Sequence, residues 1–159
     1  MRHHLSRLLV CAALAGSATL AAVVIPGNVA GAAQLTVTCT SLTGNTSSQS
    51  ATGCTGSGVS QTGSHGTITP KVNTTTKKGT ATIKWATGLT TIESTSYVTS
   101  SDASCPTKAG YTKLARATTT SKVTGGTATK LIGPTSYKAV SCEYAKGGLH
   151  IFNVGKDTY

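Results

Sequence analysis

Thr80-Ala81-Thr82-Ile83-Lys84-Trp85 alternates buried-type and polar side chains at a period of two, and Ala86-Thr87-Gly88 then interrupts the run. Ala81, Ile83 and Trp85 fall on one face of an extended chain, because successive side chains of a strand point to opposite sides. Leu89-Thr90-Thr91-Ile92-Glu93-Ser94-Thr95-Ser96-Tyr97-Val98 resumes a β-branched composition directly after the glycine. Two such runs across a short glycine-containing gap predict a β-hairpin. Threonine and isoleucine are stiff at χ1 and suit a pleated surface better than a helix.

Working outward, Leu35, Val37 and Cys39 alternate with Thr36, Thr38 and Thr40, which predicts a half-buried first strand. Residues 41–66 hold Gly44, Gly53, Gly56, Gly58, Gly63 and Gly66 among Ser and Thr, and read as a long connection with room for one poor strand. Ile68 and Val72 flank Pro70, which has no N–H to give a ladder, so a strand there belongs at a sheet edge. Downstream, a polar loop at 102–106 precedes a long strand at 111–123. Gly125-Gly126 turns the chain, residues 127–132 return it, and 137–144 with 149–154 form a second hairpin around Gly147-Gly148. No window repeats the helical spacing of apolar residues. The expectation is all-β: a single antiparallel β-sandwich, immunoglobulin-like or related, of about eight strands.

The N-terminus reads differently. Arg2, His3, His4 and Arg7 form a basic head before an apolar run that begins at Leu8 and ends at Val23-Val24-Ile25, and Ala30-Gly31-Ala32 offers small residues for a signal peptidase. This order predicts a secretory signal peptide over 1–32, cleaved to leave a single all-β domain at 33–159. A retained anchor is the competing reading; Pro26 and the small-residue triplet favour cleavage. Cys11 lies at the start of the apolar run instead of its end, so it does not read as a lipidation site. No later segment is long and apolar enough to span a bilayer. The expected location is secreted, outside the cell, with possible attachment to the envelope left to the charge pattern.

Four cysteines remain after the leader: Cys39, Cys54, Cys105 and Cys142. An even count in a short exported chain predicts two disulfides, for which three connectivities exist. Nearest-neighbour closure, Cys39 with Cys54 and Cys105 with Cys142, is the simplest. On a chain-entropy argument the two loops contribute about 3 and about 4 kcal/mol. A zinc site would need C-x-x-C or H-x-x-x-H spacing, and neither occurs. With aromatics at 4% of residues the core is thin, so the bridges matter more.

The early Cys39, Cys54 among glycines, the run from Ala81 through Trp85 to Thr91, then Val123-Thr124-Gly125-Gly126-Thr127, and Cys142 followed by Gly148-Leu149 form a set of short segments. In these the chain resembles the small Thr/Gly-rich secreted proteins of actinobacteria. The resemblance implies an all-β exported domain and no particular chemistry.

Composition excludes more than it selects. The chain carries 14 Lys+Arg against 4 Asp+Glu, a formal net charge of +10, and only the carboxylates of Glu93, Asp102, Glu143 and Asp157. Acid–base catalysis and calcium binding draw on carboxylates that are scarce here. Glu93 and Glu143 read as surface charges, one mid-strand and one beside Cys142. His65 lies in the glycine-rich connection and His150 beside Ile151-Phe152, and no G-x-S-x-G elbow accompanies either. Gly53-Cys54-Thr55-Gly56-Ser57-Gly58 lacks the Lys and helix of a phosphate loop. No catalytic residue, metal or cofactor is expected.

The mature lysines, from Lys71 to Lys156, outnumber arginine eleven to one. That ratio does not suit nucleic-acid recognition, which prefers the planar guanidinium. A diffuse positive surface attracts anionic wall polymers weakly and in a salt-dependent way. The function expected is therefore a non-catalytic exported protein associating with the envelope or with another extracellular protein. The alternatives are a protease inhibitor presenting Cys105-Pro106-Thr107-Lys108, or a small-ligand carrier. A carrier requires an apolar pocket, which Trp85 and the tyrosines line only if they leave the core.

Overall fold

The computed structural model describes residues 34–133 and 136–159. The leader expected at 1–32 lies outside the described residues. Nine strands follow one another: β1 (Thr38–Gly44), β2 (Gln49–Thr55), β3 (His65–Asn73), β4 (Lys78–Trp85), β5 (Thr90–Ser100), β6 (Thr112–Gly126), β7 (Tyr137–Ala145), β8 (Leu149–Asn153) and the two-residue β9 (Asp157–Thr158). A one-turn helix, α1 (Val59–Thr62), joins β2 to β3.

The predicted hairpin is β4 and β5, with Ala81 opposite Glu93 and Lys84 opposite Thr90. Its turn closes through Trp85 N–H donating to the Leu89 carbonyl at 2.9 Å. Every strand from β1 to β8 pairs antiparallel with its sequence neighbour, and β8 pairs back onto β1. The strands therefore close into an eight-stranded up-and-down barrel, and the sandwich expectation is corrected. A sandwich divides its strands between two sheets and leaves edges, whereas an unbroken meander that meets its own first strand leaves none. Register shifts put an extra residue into β6 twice, Thr124 opposite the Ile92–Glu93 step of β5 and Leu114 opposite the Glu143–Tyr144 step of β7, and such bulges bend a sheet toward closure.

Closure at the seam is sparse. Thr43 and Gly44 of β1 meet Phe152 and Ile151 of β8, and Thr38 and Cys39 meet Thr158 and Asp157 of β9. Between these patches the Asn153 amide replaces the ladder. Its Oδ1 accepts from Leu42 N–H at 3.0 Å, and its Nδ2 donates to the Thr40 carbonyl at 3.3 Å.

The region read as a glycine-rich connection contains the end of β1, all of β2 and α1. Alternation across this hairpin is broken: Cys39 and Leu42 are both buried on β1, and Ala51 and Cys54 on β2. The change of phase coincides with Gly53, whose φ of +64° and contact with the Thr40 side chain exclude a larger residue. Pro70 stands in an interior strand of the sheet order, yet β3 pairs with β2 only as far as Ile68 opposite Gln49. Pro70 thus lies past the last β2 partner, where no N–H is needed on that side. Residues 129–131 form a 3-10 turn, so the return strand expected at 127–132 is not a strand.

One barrel end is filled. Val37, Cys39, Cys54, Ile83, Trp85, Val123, Ala128 and Leu131 pack there with Tyr159. The Trp85 ring stands edge-on to Tyr159 at 5.7 Å. Gly66 lies opposite Trp85 in the β3–β4 register, and a Cβ on it would fall 2.6 Å from the indole. Gly66→Ala is accordingly expected to displace the indole and cost about 1–3 kcal/mol by overpacking. Chemical denaturation measures this, and a change below about 0.5 kcal/mol would show that the indole has room to move.

Both disulfides follow the nearest-neighbour pairing: Cys39–Cys54 and Cys105–Cys142. The first joins directly opposed residues of β1 and β2 inside the barrel. The second pins the β5–β6 connection onto β7. Cys142 and Tyr144 are buried against Cys105, Tyr111, Phe152 and Val154 in a separate cluster. They alternate along β7 with Ser141 and Glu143, which line the barrel cavity, so this cluster lies on the outer wall. There the Tyr144 hydroxyl donates to the Pro106 carbonyl at 2.6 Å.

Candidate functional site

A cavity of about 190 Å³ runs up the barrel interior above the packed end. Its walls follow from strand alternation. Ile68 and Val72 come from β3, Ala81 from β4, Ala117 from β6, Ala139 from β7 and Ile151 from β8, each with its neighbours pointing outward. Thr95, Thr119, Ser121 and Ser141 interleave hydroxyls among them, and Thr46 and Thr74 stand at the mouth. Small side chains leave the space open where a barrel of Leu and Phe would fill it.

The turns at the mouth, 45–48 and 73–77, are both Asx turns. Asn45 Oδ1 accepts from the N–H groups of Ser47 and Ser48 at 2.8 and 3.0 Å. Asn73 Oδ1 accepts from Thr75 and Thr76, each at 2.9 Å. The Asn-x-Thr/Ser pattern at each place is accounted for by turn chemistry.

Three tyrosines line the cavity: Tyr97, Tyr137 and Tyr159. Tyr137 and Tyr159 meet edge-on at 5.5 Å, extending the aromatic stack that starts at Trp85. Trp85 itself stays in the packed end. Tyr137 and Tyr159 line the cavity while staying packed with the core, and Tyr97 lines it from outside that cluster.

Glu93 is the departure from expectation. It is a barrel-interior residue only 3% exposed, and it is not a surface charge. Its Oε1 accepts a hydrogen bond from the Tyr137 hydroxyl, and Ser121 is a second hydrogen-bonding neighbour. Burial raises its pKa to about 7 despite these hydrogen bonds, which favour the anion. Tyr137 is pushed well above its ordinary value, by burial first and by the Glu93 charge second, so it remains a neutral donor. The pair thus offers one carboxyl that exchanges its proton near neutrality, held by a hydroxyl that does not. Glu143, also expected at the surface, lines the same cavity six residues along β7 from Tyr137, or about 20 Å of strand. Its pKa is raised by burial and drawn back by the Lys77 charge.

The other residues singled out from sequence lie elsewhere. His65 is exposed, beside the Ser64 hydroxyl at 3.4 Å. His150 packs edge-on to Tyr111 on the outer wall, with Nε2 3.1 Å from the Lys146 carbonyl. Asp102 begins the 3-10 turn 102–104. Lys108 lies with its ammonium 4.2 Å from the Phe152 ring centre, so the loop proposed for an inhibitor is laid down on the barrel wall. Among the described residues no group of three or more His, Cys, Asp and Glu could hold a metal ion, and no helix is long and apolar enough to cross a membrane.

The outward face of β5 explains why Glu93 was misread. Ile92 and Val98 are exposed, at 41% and 68%, while Thr91, Glu93, Thr95 and Tyr97 point inward. The polarity of this strand is inverted, with its apolar members in water. The signal that finds Glu93 is hairpin register, since Ala81 on the apolar face of β4 pairs with it.

Comparison with protein-family models, curated proteins and solved structures finds no match for the chain.

Proposed function

We propose that the protein is a non-catalytic, exported carrier that holds one small organic molecule in its barrel. The observation that carries this reading is the interior cavity with a polar anchor, Glu93 with Tyr137, at its inner end, apolar and hydroxyl-bearing walls beyond it, and Gln49 and Glu143 further along the lining. Binding sites for small molecules share this pattern of apolar walls and few convergent polar groups. At about 190 Å³ the space exceeds the ~150 Å³ that holds benzene and falls below the ~300 Å³ at which drug-sized sites begin. It suits one ring, or an aliphatic body of that size, with a short arm.

Export under the 1–32 leader and kinship with the small Thr/Gly-rich actinobacterial proteins belong to the same proposal. The exposed lysines at 71, 78, 84 and 138 lie on the outer face of the sheet and leave the cavity free. They favour envelope association as a second reading, which salt-sensitive pelleting of the protein with cell-wall sacculi would test.

Titration with toluene, followed through methyl resonances, tests the carrier reading. Shifts are expected at Ile68, Ala81, Ala117, Ala139 and Ile151. Shifts confined to the exposed Val98 and Leu114 would refute it, as would the absence of shifts both with toluene and with polar molecules of the same ring size.

A further inference from the structure

Charge is distributed unevenly between the wall and the interior. A chain of net charge +10 with four side-chain carboxylates places two of them, Glu93 and Glu143, in one cavity, and among the described residues no Lys, Arg or His lines that cavity. An anionic ligand at the inner end would meet the Glu93 carboxylate with no cation beside it, since Lys77, whose charge acts on Glu143 and whose ammonium stands at Tyr97, is confined to the mouth. A buried carboxylate is tolerated when an opposite charge and hydrogen bonds accompany it. Tyr137 and Ser121 supply hydrogen bonds to Glu93, but none of the cavity-lining side chains supplies the charge.

We propose that the ligand is a small organic cation, a primary or secondary ammonium on a compact apolar or aromatic body, with its N–H groups held by the Glu93 carboxylate beside the Tyr137 and Tyr159 rings. This deepens the carrier reading and rests on it. The parts have defined roles. Glu93 accepts from the ammonium in a site shielded from water, where charge-assisted hydrogen bonds are at their strongest. The tyrosine rings that line the same space attract a cation through their faces. The hydroxyls of Thr95 and Ser121, which stand 3.2 Å apart, are further acceptors for remaining N–H groups. Ala81, Ala117 and Ile151 face the apolar body, and Glu143 near the mouth adds attraction for a cation on its way in.

Binding is linked to protons. The groups facing Glu93 are Tyr137, Tyr159, Ser121 and Thr95, with Tyr97 and Glu143 further toward the mouth and Lys77 acting on Glu143. Glu93, with a pKa of about 7, changes charge near neutrality, so an ammonium binds better above pH 7 than below it.

Isothermal titration with three ring-sized probes, toluene, benzyl alcohol and benzylamine, separates the possibilities. At pH 8 benzylamine is expected to bind at least tenfold more tightly than benzyl alcohol. At pH 5.5 that preference is expected to shrink to less than threefold, and Glu93→Gln, checked for folding by its thermal melt, is expected to lose it at both pH values. Toluene or benzyl alcohol binding as well as benzylamine at pH 8 would overturn the cation proposal and leave the carrier reading standing. A benzylamine preference that survives in Glu93→Gln would also overturn it. If none of the three probes binds, both readings fall together.

Discussion

Glu93→Gln raises the melting temperature of the ligand-free protein at pH 8 by about 10 °C and leaves it nearly unchanged at pH 4. In the folded barrel Glu93 has a pKa of about 7, against 4.5 when unfolded. Between these values the folded chain keeps a proton that the unfolded chain has released, so stability is full below pH 4.5 and falls as pH rises through 7. Two and a half pK units correspond to about 3 kcal/mol lost by pH 8. A domain of this size moves by roughly 3–4 °C per kcal/mol. Glutamine keeps the shape and an acceptor for the Tyr137 hydroxyl while removing the charge that burial penalises. The raised pKa of Glu143 has the same sign, so the variant retains a shallower slope of its own. Calorimetric melts of both proteins at pH 4, 6 and 8 measure the effect. A wild-type stability that is flat or rises from pH 4 to 8 would contradict the buried, uncompensated carboxyl described above.

Removing the outer bridge, with Cys105 and Cys142 both changed to Ala, is expected to cost about 4 kcal/mol. The bridge spans 37 residues, and the chain entropy it withholds from the unfolded state scales with the logarithm of that length. The loss is local in structure. Tyr144 loses the bridge packed beside it while keeping Tyr111 and Phe152, and residues 101–111 lose their covalent tie to β7. The ties that remain include the Tyr144–Pro106 hydrogen bond, the Lys108–Phe152 contact, the Arg116 guanidinium donating to the Ser104 hydroxyl at 2.7 Å, and the Tyr111 ring against Tyr144, His150 and Phe152. Amide exchange should therefore accelerate at Cys105 and Tyr111, whose N–H groups donate to Asp102 and Lys108 carbonyls, while the Val37–Tyr159 pair stays protected. Equilibrium denaturation gives the magnitude. A loss below 1 kcal/mol, or equal acceleration at Val37, would show that the connection is not an independently held flap. The inner bridge closes only 15 residues, between strands already paired in register, and its removal is the smaller perturbation on this argument.

The sequence made the hairpin at Thr80–Val98 legible because alternation and turn chemistry agree there. It made the cysteine pairing legible because the simplest closure is also the one that the meander brings together. β2 was hidden because Gln-Ser-Ala-Thr-Gly-Cys-Thr is built of small residues and changes phase at Gly53. Local signals also could not distinguish a barrel from a sandwich. That choice rests on a few pairs between β1 and the C-terminal strands, and neither segment carries a mark of the other. For the site, counting carboxylates correctly made Glu93 rare. The exposed Ile92 and Val98 then assigned the wrong face to the strand that bears it.

The sparse seam has a consequence for the order of assembly. Every other strand contact forms between sequence neighbours and can zip as the chain grows, but Leu42 and the Asn153 side chain that bridges to it stand 111 positions apart. Contacts so distant form late, because a long loop must close before they return anything. Until the final strand arrives, the molecule is a curled ribbon with two raw margins, the kind of surface on which neighbouring chains stack. The enclosed chamber comes into being only with that last stitch, so completing the chain and acquiring a ligand pocket are one event.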